Sequence, residues 1–172
     1  MAVKSLIQTV TVGAGGAASI EFTDIPQDGS DLVCVMSIRT TDNVVSSLMR
    51  VQLAGDTGSN YSFRRLYGSG SSALSSAGSS QSGILAGRSA GANATSNTFS
   101  NTSVYVANYT STANKSVSVD SVTENNASEA YQHLSANLHS TSVAVTSFLI
   151  KENSGTTLLQ YSTASLFKIK YD

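Results

Sequence analysis

The chain has one cysteine, one proline and no tryptophan, and only 12% of its 172 residues are charged. A single Cys, Cys34, excludes an internal disulfide, so stability has to come from packing and strand pairing. A formal net charge of -1 gives no electrostatic case for nucleic acid or an acidic membrane as partner. No apolar run approaches a membrane span. The N-terminal MAVKSLIQTVTV also lacks the continuous apolar centre of a secretory signal, so synthesis in a cytoplasm is expected. Helix signals are missing too. What is abundant is Ser and Thr, together about a quarter of the chain, set among regular short runs of Val, Ile and Leu. A disordered chain would lack those runs.

The runs alternate with period two, which is the strand signature. Asp31–Arg39 places Leu32, Cys34, Met36 and Ile38 on one face and Val33 and Val35 on the other, the pattern of a central strand covered on both sides. Cys34 is read there as a small core residue. Lys115–Thr123 turns Val117 and Val119 inward and Ser116, Ser118 and Asp120 outward. Strands are also expected at Lys4–Val12, Ala18–Thr23, Phe99–Tyr109, Tyr131–His139 and Val143–Lys151. A last strand, Leu158–Tyr171, would put Leu159, Tyr161, Phe167, Ile169 and Tyr171 on one face. Gly68–Gly83 is so poor in packing groups that it reads as a long Ser/Gly-rich surface loop. A polar turn is expected over 124–129. About ten strands in one domain, residues 1–172, imply an all-β, antiparallel β-sandwich of jelly-roll type.

Catalytic constellations are not expected. Gly13-x-Gly15-x-x-Ala18 nominally fits a dinucleotide fingerprint, but a strand follows where a helix is required, so a β-hairpin is the reading. His133 and His139 would share a strand face about 20 Å apart, too far to share a metal. Asp56-x-Gly58-x-Asn60 opens like a calcium loop, yet its twelfth position is Tyr67 where a bidentate Glu is needed. Nothing in the sequence pairs a Ser with either His as a Ser-His-Asp triad would require. Asp120 and Glu124, formally a glycosidase pair, read as solvated surface. No enzyme activity, cofactor or metal is therefore expected.

The densest aromatic and cationic stretch is Arg50–Gly70, RVQLAGDTGSNYSFRRLYGSG. Tyr61, Arg64, Arg65 and Tyr67 are its candidate contact residues, because Tyr and Arg are enriched at contact centres and sugars stack on aromatic rings. Only one of the adjacent arginines can share a strand face with Tyr61. In a purely structural role one would be solvated and the other would bond turn carbonyls or an acid such as Asp56.

Four segments, IEFTDIPQDGSDLVCVMSIRTT, LAGDTGSNYSFRRLYGSG, VYVANYTSTANKSVSVDSVTENN and QYSTASLFKI, resemble a β-domain widespread in tailed phages, especially those of marine bacteria and cyanobacteria. The family often has a Tyr-Gly pair where this chain has Phe167-Lys168, and a Trp near the position of His139. The resemblance implies a virion structural protein: a capsid cement or decoration protein, a head fibre, or a receptor-binding part of a tail fibre. The sequence carries no coiled-coil or shaft stretch of the kind a tail fibre uses, which favours cement. A homotrimer on the major capsid protein is then expected, because closed symmetry pairs exposed sheet edges.

Overall fold

The computed structural model describes residues 1–126 and 129–171. Twelve strands account for its regular structure, and no helix occurs among the described residues. They are β1 (Ala2–Thr11), β2 (Ser19–Phe22), β3 (Asp31–Ser37), β4 (Ser46–Leu53), β5 (Tyr61–Gly68), β6 (Ala73–Gln81), β7 (Ile84–Ala90), β8 (Asn101–Val106), β9 (Lys115–Thr123), β10 (Tyr131–His139), β11 (Phe148–Glu152) and β12 (Thr163–Tyr171). All pairings between these strands are antiparallel. They form an eight-stranded sheet, β1-β12-β3-β8-β9-β10-β5-β6, and a four-stranded sheet, β2-β11-β4-β7.

Two packed antiparallel sheets make this the β-sandwich expected from the alternation. The subset β1-β12-β3-β8 with β2-β11-β4-β7 follows the interleaved strand order of a jelly roll. The remaining four strands, where about ten in total were expected, are two hairpins, β5-β6 and β9-β10, inserted between jelly-roll strands. They meet along the β5-β10 ladder and widen the large sheet beyond β8.

One apolar core lies between the sheets. Leu32, Cys34, Met36, Val104, Val106, Ala164 and Leu166 face Ile20, Phe22, Met49, Val51, Leu53, Phe148 and Ile150 across it. Phe22 and Phe148 pack edge to face, with centroids 6.4 Å apart. Burial pushes the Cys34 thiol up to about 12, the behaviour of an inert core residue.

Several expectations are corrected. The Ser/Gly-rich segment 68–83 is mostly a strand, β6, because backbone pairing to β5 needs no large side chains. Gly78 fits there against the Phe63 ring, where a Cβ would come within 2.6 Å. The glycines after β1 do not close a hairpin: β1 pairs with β12 and β2 with β11, in different sheets. β3 is central in its ladder, but Val35 on its outer face is exposed, so it is covered on one side only. In β12 the buried side chains are Ala164 and Leu166, while Phe167, Ile169 and Tyr171 lie on the open face. Tyr161, expected on that strand, is exposed in the turn before it. Expected strands over Phe99–Tyr109 and Val143–Lys151 shrink to β8 and β11. Of the polar turn expected over 124–129, Ala127 and Ser128 lie outside the described residues.

The inserted hairpins also dispose of a sheet edge. The free side of β7 is covered by side chains of β9 and β10 rather than by another strand. Asn137 accepts from the Leu85 amide (2.9 Å), Ser135 donates to the Leu85 carbonyl (3.1 Å), and Thr123 donates to the Arg88 carbonyl. Gly87 lets the backbones approach. It has φ +77, and any Cβ would stand 2.2 Å from Ser121.

Candidate functional site

Along β5 the alternation sends Tyr61, Phe63, Arg65 and Tyr67 toward the covered face and Arg64 and Leu66 to the open one. The four sequence-derived residues therefore do not form one patch. Arg64 is exposed and, among the described residues, donates only to the Phe63 carbonyl. It borders a shallow groove of about 690 Å³ on the open face, lined also by Leu66, Leu134, Ala136, Ser116 and Ser118.

Tyr61 is 2% exposed and structural. Its hydroxyl accepts from the Leu53 amide (3.1 Å) and donates to the Asp56 carbonyl (3.0 Å), pinning the turn between β4 and β5. Its ring stacks on His139, directly opposite on β10, at 4.5 Å between centroids. His139 Nε2 donates to Asp56 at 2.9 Å. Asp56 also accepts from the Gly58 amide, the Asn60 side chain and the Thr141 hydroxyl. Partial burial works to raise the Asp56 carboxyl, but these donors outweigh it and hold the group down at about 2. The supposed opening of a calcium loop is thus a carboxylate with its lone pairs taken. It pairs with a histidine and not, as one reading of the sequence allowed, with an arginine.

Arg65 and Tyr67 belong to a different cluster at the far end of the same ladder. Tyr67 stacks on His133, its partner in register, with centroids 5.3 Å apart and planes 12° from parallel. Tyr131 lies 5.6 Å from His133 on the same strand. The Arg65 guanidinium sits 4.4 Å from the Tyr67 ring, and Arg88 of β7 sits 4.4 Å from that of Tyr131. The result is a row in which two cations bracket three aromatic rings. Arg65 Nε donates to Ser76 (2.6 Å), and Arg88 Nη1 donates to the Ser46 carbonyl (2.9 Å).

This row is electrostatically unbalanced. His133 is 1% exposed, and neither ring nitrogen has a hydrogen-bond partner among the described residues. Arg65 Nη1 and Arg88 Nε are likewise buried and unpartnered. Burial first, then the charges of Arg65 and Arg88, depress His133 to about 4, so the imidazole is neutral at physiological pH. Burial and the neighbouring Arg88 also lower Arg65. Among the described residues, the ion pairs are His139–Asp56 and Lys168–Asp28, neither of which involves these arginines. Other buried cations here are fully served. Lys115 donates to the carbonyls of Ser111, Ala113 and Val143, and Arg39 to those of Ala92, Ala94, Thr95 and Thr98.

No family model, no curated protein and no solved structure matches this chain. The site therefore stands on its own geometry. Among the described residues no group of three or more His, Cys, Asp or Glu is arranged to hold a metal ion. Asp120 and Glu124 are both exposed. The sequence reading missed Tyr131, His133 and Arg88. A signal for two of the contacts was present: Tyr61 and Tyr67 have the same six-residue spacing as His133 and His139. Antiparallel pairing sets both Tyr–His pairs opposite at once. Arg88 gave no such signal, because only the tertiary wrap brings β7 there.

Proposed function

We propose that the protein is a non-enzymatic structural protein of a phage particle, a capsid cement or decoration protein seated on the major capsid protein. The observation that carries this reading is the open face of the large sheet around the β5-β10 ladder. Leu66 and Leu134 stand directly opposite each other there, 64% and 52% exposed, with Leu138, Ala136 and Val122 around them. A broad face with apolar side chains and few charges suits protein docking better than solvent. The sequence resemblance to phage β-domains supplies the choice of a capsid as the surface it docks on.

The large sheet ends in β1 and β6, and closed trimerisation would pair such edges, which supports the homotrimer. Arg64 lies on the docking face and stays a candidate contact. Tyr61 does not, being consumed by the turn it holds. The test is to melt capsids with and without the protein and to weigh the free protein by light scattering. A trimer that raises capsid melting, and loses that effect in Leu134→Asp, supports the reading. A monomer that leaves melting unchanged overturns it. A second reading, a receptor-binding tail component that holds a carbohydrate, is favoured by the Arg65–Tyr67 cluster, since sugars stack on aromatic rings beside polar donors.

A further inference from the structure

We propose that the Arg65–His133–Arg88 cluster is a binding site for a small oxyanion, either the free ion or the acidic group of a saccharide. The argument is one of unmet hydrogen bonding and unmet charge, and it stands independently of the assembly reading. Each guanidinium lies over an aromatic ring, which stabilises its charge but uses none of the in-plane N–H donors. Arg65 Nη1 and Arg88 Nε are then left over, buried, beside an imidazole whose two nitrogens are also unpartnered. A buried polar atom without a partner is costly, so three donors and one imidazole acceptor left unmet in one cluster are not neutral packing. Arg39 and Lys115, whose donors end on backbone carbonyls, show that this fold satisfies buried cations where they serve only structure.

The class of ligand follows from the donors. Neither arginine has a carboxylate within ion-pair distance among the described residues, and Arg88 reaches Glu129 only through the Ser46 hydroxyl, which accepts from Arg88 (3.0 Å) and donates to Glu129 (3.1 Å), so the pair calls for further negative charge. The planar N–H fork matches the oxygens of a carboxylate or sulfate better than a spherical ion. Neutral His133 adds one further N–H. The four nitrogens are shielded from solvent, but Arg65 and Arg88 as whole residues are only half-buried. Entry then needs a swing of a flexible side chain and no opening of a sheet. Tyr67 and Tyr131, both half-buried, would flank whatever carries the acidic group.

The experiment is calorimetric titration of the whole protein with sodium sulfate at constant ionic strength, alongside Arg65→Gln, Arg88→Gln and Arg64→Gln. Saturable one-site binding is expected, weakened at least tenfold by Arg65→Gln and by Arg88→Gln. Arg64→Gln, on the opposite face, should bind as the wild type does. Sulfate also stabilises proteins generally by exclusion from their surface, so a non-saturating effect shared by all four proteins overturns the proposal. Should either site variant fail to fold, the wild type alone decides. Its sulfate affinity must rise as pH falls toward 4, because a bound anion favours the protonated His133, and flat affinity overturns the proposal. Glucuronate and glucose, titrated in parallel, separate the two sources. Glucuronate tighter than sulfate assigns an acidic saccharide, sulfate tighter than glucuronate assigns the free ion, and glucose binding as well as glucuronate refutes an oxyanion site.

Discussion

The β5-β10 ladder carries the same pair of residues twice, a tyrosine stacked on the histidine opposite, with opposite consequences. At one end Tyr61 and His139 are joined to Asp56, whose carboxylate accepts from four residues. At the other, Tyr67 and His133 lie between Arg65 and Arg88, and the imidazole has no partner. Identical stacking does not make identical function; what surrounds the imidazole does. A histidine whose donor meets a carboxylate is a fastener. A histidine held neutral between two cations costs stability, and such a cost persists where binding makes use of it.

If that contrast is right, the largest loss should come from Asp56→Ala, which removes the acceptor shared by Gly58, Asn60, His139 and Thr141. A cost on the order of 2–4 kcal/mol is expected in urea unfolding, since the buried His139 loses the partner of its Nε2. His139→Phe keeps the stack but drops that bond, and should cost about 2 kcal/mol. His133→Phe should do the reverse and leave stability unchanged or raise it by about 1 kcal/mol at neutral pH, because no partner is lost.

The two ends also separate along the pH axis. His133 falls from an ordinary 6.5 to about 4, so between those values the unfolded chain binds a proton the folded chain does not. Wild-type stability therefore declines as pH falls from 6.5 to 4, and the advantage of His133→Phe should grow to no more than about 2 kcal/mol at pH 5. Asp56 acts lower. Its folded value near 2 lies under the ordinary 3.8, so its contribution is present above 3.8 and lost as pH falls through 2. Urea midpoints measured at successive pH values would resolve the two windows, and a His133→Phe curve parallel to wild type across pH 6.5–4 would break the contrast. The smallest effect concerns the turn that presents Asp56. Ala54 sits at φ 53, and Ala54→Gly should relieve strain by about 0.5–1 kcal/mol in thermal unfolding without touching the other end.

The alternation of Lys115–Thr123 and of Leu32 to Ile38 was legible in the sequence because those strands bury one face against the core, and burial writes itself into side-chain period. β6 was not legible, since its stability comes from a backbone ladder to β5 that Ser, Gly and Ala neither favour nor forbid. The stripe Phe167, Ile169 and Tyr171 misled for a related reason: apolar residues can line an open face as well as a closed one. At the site, parity along β5 separated Arg64 from Arg65, but it could not say which of them faced inward. The partners of Arg65 come from β7 and β10, brought in by the inserted hairpins, and no local pattern encodes that wrap.

The most direct measurement is an NMR titration of the His133 imidazole from pH 7 to pH 3.5, with and without sulfate at fixed ionic strength. His133 should titrate near 4 without sulfate and at higher pH with it. A His133 that titrates near its ordinary value of 6.5, or whose titration sulfate does not move, would contradict the account.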